Sequence, residues 1–186
     1  IVGHAEAKAV FVSTAAQLHK VRSAAGRLPA LKALIPMDPP PTPATNECPY
    51  ERVMARGAER SAREPGSLER NAATLVPGDV ATVIYTSGTT GEPKGAMLTH
   101  TNIVSNVDAS IQVIGLVPTD TSLSFLPLCH IFERMAGLYA MLRGGVTIAY
   151  AQSLDTISAD ACEVHPTILT GVPRIFEKLY ARVMDT

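Results

Sequence analysis

The chain has 186 residues, 46% of them hydrophobic and 18% charged, with a mean hydropathy of +0.15, a globular composition that excludes disordered and fibrous classes. A formal net charge of -1 and a pI near 6.6 leave no basic excess for nucleic acid or an anionic membrane. Cys48, Cys129 and Cys162 stand far apart with no CxxC, so neither a disulfide framework nor a zinc site is expected, and a reducing, cytoplasmic setting fits.

No apolar run approaches the roughly 20 residues that span a bilayer. The sequence opens on IVGHAEAKAVFVS without an initiator Met or a signal-peptide pattern, and it closes on IFEKLYARVMDT in the middle of an amphipathic pattern. It therefore reads as an excerpt of a longer chain.

In chain order, KAVFV is short and apolar as a buried strand is, TAAQLHKVRSAAG follows with helical spacing, and LKALIPM reads as a second strand. Six prolines between Pro36 and Pro49 fix φ too often for a helix or central strand, so 36–49 is expected to be a surface connection or a disordered insert. YERVMARGAERSAREPGSLERNAA predicts one or two exposed helices broken around Pro65 and Gly66.

Next come a strand, VATVIYT, a glycine-rich loop, and a helix with Ile103, Val107, Ile111 and Ile114 at helical spacing, capped by Thr99 or Thr101. TSLSFLPL reads as a strand. HIFERMAGLYAMLRGG reads as a helix with Ile131, Met135, Leu138, Tyr139 and Leu142 on one stripe, stopped at Gly144 and Gly145. VTIAYA and PTILTGV complete the strands, and LDTISADACEVH and PRIFEKLYARVM the helices. Such alternation predicts an α/β fold with right-handed crossovers and a mostly parallel sheet covered by helices.

The string YTSGTTGEPKG, Tyr85 to Gly95, follows an apolar strand directly, and in such sheets ligands gather at the carboxyl ends of strands. Gly88, Gly91 and Gly95 permit positive φ and a close backbone approach. Thr86, Ser87, Thr89 and Thr90 offer hydroxyls and Lys94 a cation, so a polyphosphate is the best guest. It is not a Walker A loop, because the position five after Gly88 is Pro93 and Lys94 is followed by Gly95. A plain Thr-rich turn with a solvated lysine is the alternative.

YTSGTTGEPKG resembles the phosphate loop of the adenylate-forming superfamily of acyl-CoA synthetases, luciferase and peptide-synthetase adenylation domains. LSFLPLCHIFERMAGLYAMLRGG and ILTGVPRIFEKLY further resemble its long-chain fatty acyl-CoA synthetases. The resemblance covers essentially the whole sequence and is strongest from Pro77 onward. It implies residues 1–186 of a partial AMP-binding N-terminal domain, itself part of a larger multi-subdomain domain, with the phosphate-binding loop at 85–95 and the C-terminal domain absent.

The implied reaction joins a carboxylate and ATP into an acyl-adenylate and pyrophosphate, then passes the acyl group to coenzyme A. ATP, Mg2+ and coenzyme A are the implied cofactors. By the same resemblance Thr86, Ser87, Gly88, Thr89, Thr90, Gly91 and Lys94 grip the phosphates, and Thr86 places a hydroxyl near the magnesium ion. His130 sits beside the acyl carboxylate and the adenylate.

Each assignment has a plainer alternative. A histidine after LPLC also serves as a hydrogen-bonded structural residue. Cys129 and His130 do not read as nucleophile and base, since adjacent residues on an extended segment face opposite ways. Glu133 and Arg134 suggest separate structural salt bridges, and Arg174 and His100 suggest helix-start or turn roles. The apolar stripe would line an acyl tunnel or pack on the sheet.

The adenine-binding strand, the second magnesium ligand, the ribose aspartate and the C-terminal lysine that the family implies do not occur here. A chain of these residues alone is therefore expected to be inactive. Two further readings stay open: an adenylating enzyme for a medium-chain, aryl or amino acid, and a non-catalytic product that binds nucleotide or a partner. The expected partners are small molecules, without nucleic acid. A long-chain acid would imply peripheral membrane contact for the parent protein.

Overall fold

The computed structural model describes residues 1–38, 40, 42, 44–87 and 91–184, and its architecture is mixed α/β with parallel strand pairs. Two compact units divide it: Ile1–Leu75 with Ser87–Gly95, and Val76–Thr86 with Ala96–Thr186.

In the first unit the leading apolar runs become β1 (Ala9–Val12) and β2 (Ala33–Pro36), with α1 (Ala15–Ala24) between them. The strands pair in parallel from Ala9 opposite Ala33 to Val12 opposite Pro36, the arrangement a crossover helix permits. Thr14 caps α1 by accepting from the Gln17 N–H at 3.3 Å, and Leu18 packs with Val12 and Leu34 in a small core. Helices α2 (Tyr50–Arg63) and α3 (Ser67–Ala72) bury no residue, and the chain breaks between them across Pro65 and Gly66.

The end of the proline-rich stretch lies beside β2. Leu34 N–H donates to the Asn46 carbonyl and Cys48 N–H to the Leu34 carbonyl, both at 3.0 Å, and Leu34 bridges Glu47 in parallel. The enclosed Glu47 carboxylate accepts from Arg22 Nε at 2.6 Å, Arg22 Nη2 at 2.8 Å and the Ala44 N–H at 3.0 Å.

Arg22, against the opposing effect of burial, holds the Glu47 carboxyl below the usual carboxylate range. The fold thus binds the ionised form. Its stabilisation is present above the unfolded value of about 4.3 and is lost as the pH falls through the lower folded value. Glu47→Gln should cost about 2 kcal/mol at pH 7, and the gap to the parent should close on acidification. Urea unfolding followed by circular dichroism at pH 7 and pH 3 checks this, and equal stability at pH 7 would count against the clamp.

The second unit is built from β3 (Val80–Ser87, through Thr86), the remainder of β4 (Pro93–Thr99), α4 (His100–Ile114), β5 (Thr121–Ser124), a π-helical segment Glu133–Tyr139 continued by α5 (Ala140–Gly144), β6 (Thr147–Tyr150), α6 (Ile157–Val164) and α7 (Pro173–Met184). Of the two expected caps of α4, Thr99 is the one used. It accepts from the Asn102 N–H at 3.2 Å while Asn102 Oδ1 accepts from the Thr99 N–H at 3.0 Å, a reciprocal capping box. Gly145 ends α5 at φ 71, a left-handed conformation that favours glycine. β5 and β6 pair in parallel, and Leu123, Met141, Val146 and Ile157 are buried.

Three expectations are corrected. The strand read over TSLSFLPL stops at Ser124, since Pro127 cannot donate to a ladder. PTILTGV is not a strand: Ile168 makes a single parallel bridge to Ser122. Backbone bonds from Thr167 and Ile168 to the Thr121 carbonyl dock it, and the Thr167 hydroxyl adds to them by donating to Asp120 at 2.8 Å and accepting from the Thr121 N–H at 3.0 Å. The helix read from His130 opens with a π segment in which Ala140 N–H donates to the Met135 carbonyl five residues back.

Candidate functional site

The glycine-rich string lies where β3 and β4 meet in one two-stranded sheet. Residues 88–92 separate the strands, far too few for a parallel crossover. The sequence predicts strand through Thr86 and loop beyond it; in the structure β3 runs on to Ser87, and Pro93–Gly95 begin β4. Pro93 opens the strand, where a missing N–H does least harm.

Gly91 adopts φ 85, and among the described residues no atom lies within 4 Å of the position a Cβ would take. Backbone conformation, not crowding, requires glycine there. The side chains of Thr86 and Lys94 are exposed, and Lys94 makes no ion pair among the described residues. Thr86 belongs to the second unit, and Ser87, Gly91 and Lys94 to the first. Gly88, Thr89 and Thr90 lie outside the described residues.

His130, in the second unit, is exposed on the turn after β5. Its N–H donates to the Pro127 carbonyl at 2.9 Å, its carbonyl accepts from the Arg134 N–H at 3.1 Å, and its ring Nδ1 accepts from the Phe132 N–H at 3.3 Å. One ring nitrogen therefore braces the helix start. In this arrangement Nε2 is the ring nitrogen left for a ligand.

Among the described residues Glu133 and Arg134 do not form the structural salt bridges that the sequence suggests. Glu133 is 1% exposed. Its Oε1 accepts from the Ser124 hydroxyl at 2.6 Å, and its Oε2 is buried without a hydrogen-bond partner among the described residues. Burial pushes the Glu133 carboxyl above the usual carboxylate range, and Ser124 offsets this only in part, so the neutral acid is favoured relative to a solvated glutamate. A Cβ on Gly137 would collide with the carboxyl group.

Arg134 donates through Nε to the Leu128 carbonyl at 3.0 Å and through Nη1 to the Thr82 hydroxyl at 2.7 Å. Neighbours in sequence thus reach two different strands, β5 and β3. The pairing of Glu133 with Gly137 at i, i+4 is the sequence signal that could have exposed the buried acid.

The π segment also changes which residues face inward. Glu133, Gly137, Ala140 and Met141 are buried, whereas Leu142 of the expected stripe is 62% exposed. Ile131 and Met135 of that stripe, with Leu98 and Ile103, line an open recess of about 320 Å³ against α4. His100 begins α4 and donates its N–H to the Asp79 carbonyl at 3.1 Å, a helix-entry role. Arg174 is exposed in the first turn of α7. Among the described residues no group of three or more His, Cys, Asp or Glu gathers around a metal-sized site.

A family profile described as AMP-binding enzyme matches residues 1–185. The chain belongs to that family. It is 38% identical over 135 residues to the long chain acyl-CoA synthetase 7, peroxisomal, of Arabidopsis thaliana, covering 70% of this chain and 18% of that protein. It is 33% identical over 166 residues to the long-chain-fatty-acid–CoA ligase 5 of Rattus norvegicus, covering 84% of this chain and 24% of that one. It thus spans about a fifth of the length of these AMP-binding relatives. Among solved structures, the anthranilate CoA ligase AuaEII in complex with anthranoyl-AMP matches 94% of this chain and 32% of its own, with TM-score 0.75 and 21% identity, a likeness of fold. Among the described residues no helix is long and apolar enough to cross a membrane.

Proposed function

We propose that this chain is the phosphate-binding part of a long-chain fatty acid–CoA ligase, which activates the acid with ATP to an acyl-adenylate and passes the acyl group to coenzyme A. The observation that carries this reading is the string Tyr85–Gly95 at the meeting of β3 and β4 in a member of the AMP-binding family. The relatives named long-chain synthetases support the substrate class.

Attack of a carboxylate on the α-phosphorus places negative charge on the departing pyrophosphate. Lys94 and the hydroxyls of Thr86, Ser87, Thr89 and Thr90, with the backbone of Gly88 and Gly91, neutralise and hold that charge. Mg2+, when bound with ATP, screens the phosphate oxygens. Thr86 fits it as a hard, exposed oxygen donor. His130 presents Nε2 toward the carboxylate and the adenylate. The recess lined by Ile131 and Met135 offers apolar surface to the acyl chain. Long acids partition into lipid, so the parent enzyme is expected in the cytoplasm in peripheral contact with a membrane.

The test is acid-dependent exchange of pyrophosphate into ATP by the gene product that carries this chain, across long-chain, medium-chain, aryl and amino acids. Long-chain acids should give the highest kcat/KM. A preference for another class would move the substrate assignment, and exchange with none would leave a nucleotide-binding or partner-binding protein. The 186-residue chain alone should show no exchange.

A further inference from the structure

We propose that Arg134 is a positioning residue for this reaction, tying the turn that carries His130 to the face of β3 that ends in Thr86. The inference rests on the reading of His130 and Thr86 given under the proposed function.

In a strand, alternate residues share a face. Thr82, Ile84 and Thr86 therefore lie on one side of β3, and the hydroxyl that Arg134 grips belongs to the side that presents Thr86. The other end of the tether is the His130 turn itself. Arg134 Nε reaches the carbonyl of Leu128, two residues before His130, and the Arg134 N–H closes on the His130 carbonyl.

Side chain and main chain of one residue thus fix both ends of the short segment 128–130. A planar guanidinium suits this task, because its donors hold two acceptors at a set geometry that a single ammonium cannot match. Arg134 is half-buried and pairs with no carboxylate among the described residues, so a structural ion pair does not account for it.

Glu133 restrains the same turn from the other side by its bond to Ser124 on β5. With ring Nδ1 committed to the Phe132 N–H, the direction of Nε2 follows the placement of the turn. The Arg134–Thr82 contact sets that placement relative to β3.

Thr82→Val removes the acceptor while keeping a shape that strands favour, Thr82→Ser restores the hydroxyl, and Arg134→Gln removes the fork. In acid-dependent pyrophosphate exchange by the full gene product, Thr82→Val and Arg134→Gln should each lower kcat about tenfold, with KM for ATP within about twofold, because misplacement on the ångström scale is costly to rate. Thr82→Ser should stay within about twofold of the parent, on the same reasoning. The His130 imidazole resonances should shift in Thr82→Val and Arg134→Gln but not in Thr82→Ser.

A purely structural tether would lower the melting temperature and the folded fraction while leaving kcat per folded molecule and the His130 resonances unchanged, and that result overturns the proposal. If the parent exchanges with no acid, the functional reading fails and the resonances decide the tether alone: unmoved in Thr82→Val they refute it, moved they sustain it.

Discussion

Gly137→Ala should destabilise the second unit by about 3 kcal/mol, although alanine in a helix ordinarily gains about 1 kcal/mol over glycine. The reversal has a local cause. A methyl group at Gly137 would occupy the space of the Glu133 carboxyl, which is enclosed and already hydrogen-bonded to Ser124. Either the carboxyl abandons Ser124 or the π segment shifts, and a packed interior accommodates neither cheaply.

Denaturant unfolding of parent, Gly137→Ala, Glu133→Ala and the double variant would measure the coupling. The double variant should be more stable than the sum of the single losses predicts by about 1–3 kcal/mol, because the truncated side chain vacates the contested space. A Gly137→Ala protein as stable as its parent would refute this account of the packing.

Lys94→Met should act in the opposite way, sparing the fold and damaging the reaction. Lys94 is exposed and makes no ion pair among the described residues, so stability should change by no more than about 0.5 kcal/mol. If its ammonium meets charge that grows on the departing pyrophosphate, kcat for acid-dependent exchange should fall about 100-fold, the size of effect seen when one such electrostatic contact is lost. Steady-state exchange kinetics on the gene product give the number. A variant that keeps both kcat and KM for ATP would remove Lys94 from the site.

What the sequence discloses depends on whether a feature is periodic. β1, α1, β2 and α4 follow from apolar spacing and from caps such as Thr14 and Thr99, and the break between α2 and α3 from Pro65 and Gly66. Local rules suffice there. They fail at Glu133–Tyr139, because an i to i+5 helix leaves no propensity signature and reassigns the inward face from Leu142 to Met141. They fail also for Glu47 and Glu133, two acids that polarity alone assigns to the surface and that Arg22, 25 positions away, and Ser124, nine positions away, hold inside.

The first strand of the candidate site was legible, but β4 was concealed by Pro93 and Gly95, residues that usually mark turns. The loop chemistry was readable as a string of residues. The ties that hold the His130 turn were not, since Thr82 and Arg134 lie 52 positions apart and nothing local links them.

The enclosure of Glu133 has a spectroscopic consequence. A carboxyl shielded from water and, among the described residues, hydrogen-bonded on one oxygen only has, when protonated, a carbonyl stretch set by that bond and separated from the bands of ionised surface carboxylates. The chain thus contains an unlabelled infrared reporter three residues from His130. Its frequency would record, without any engineered probe, whether nucleotide or acid binding is felt by the turn between β5 and the π segment.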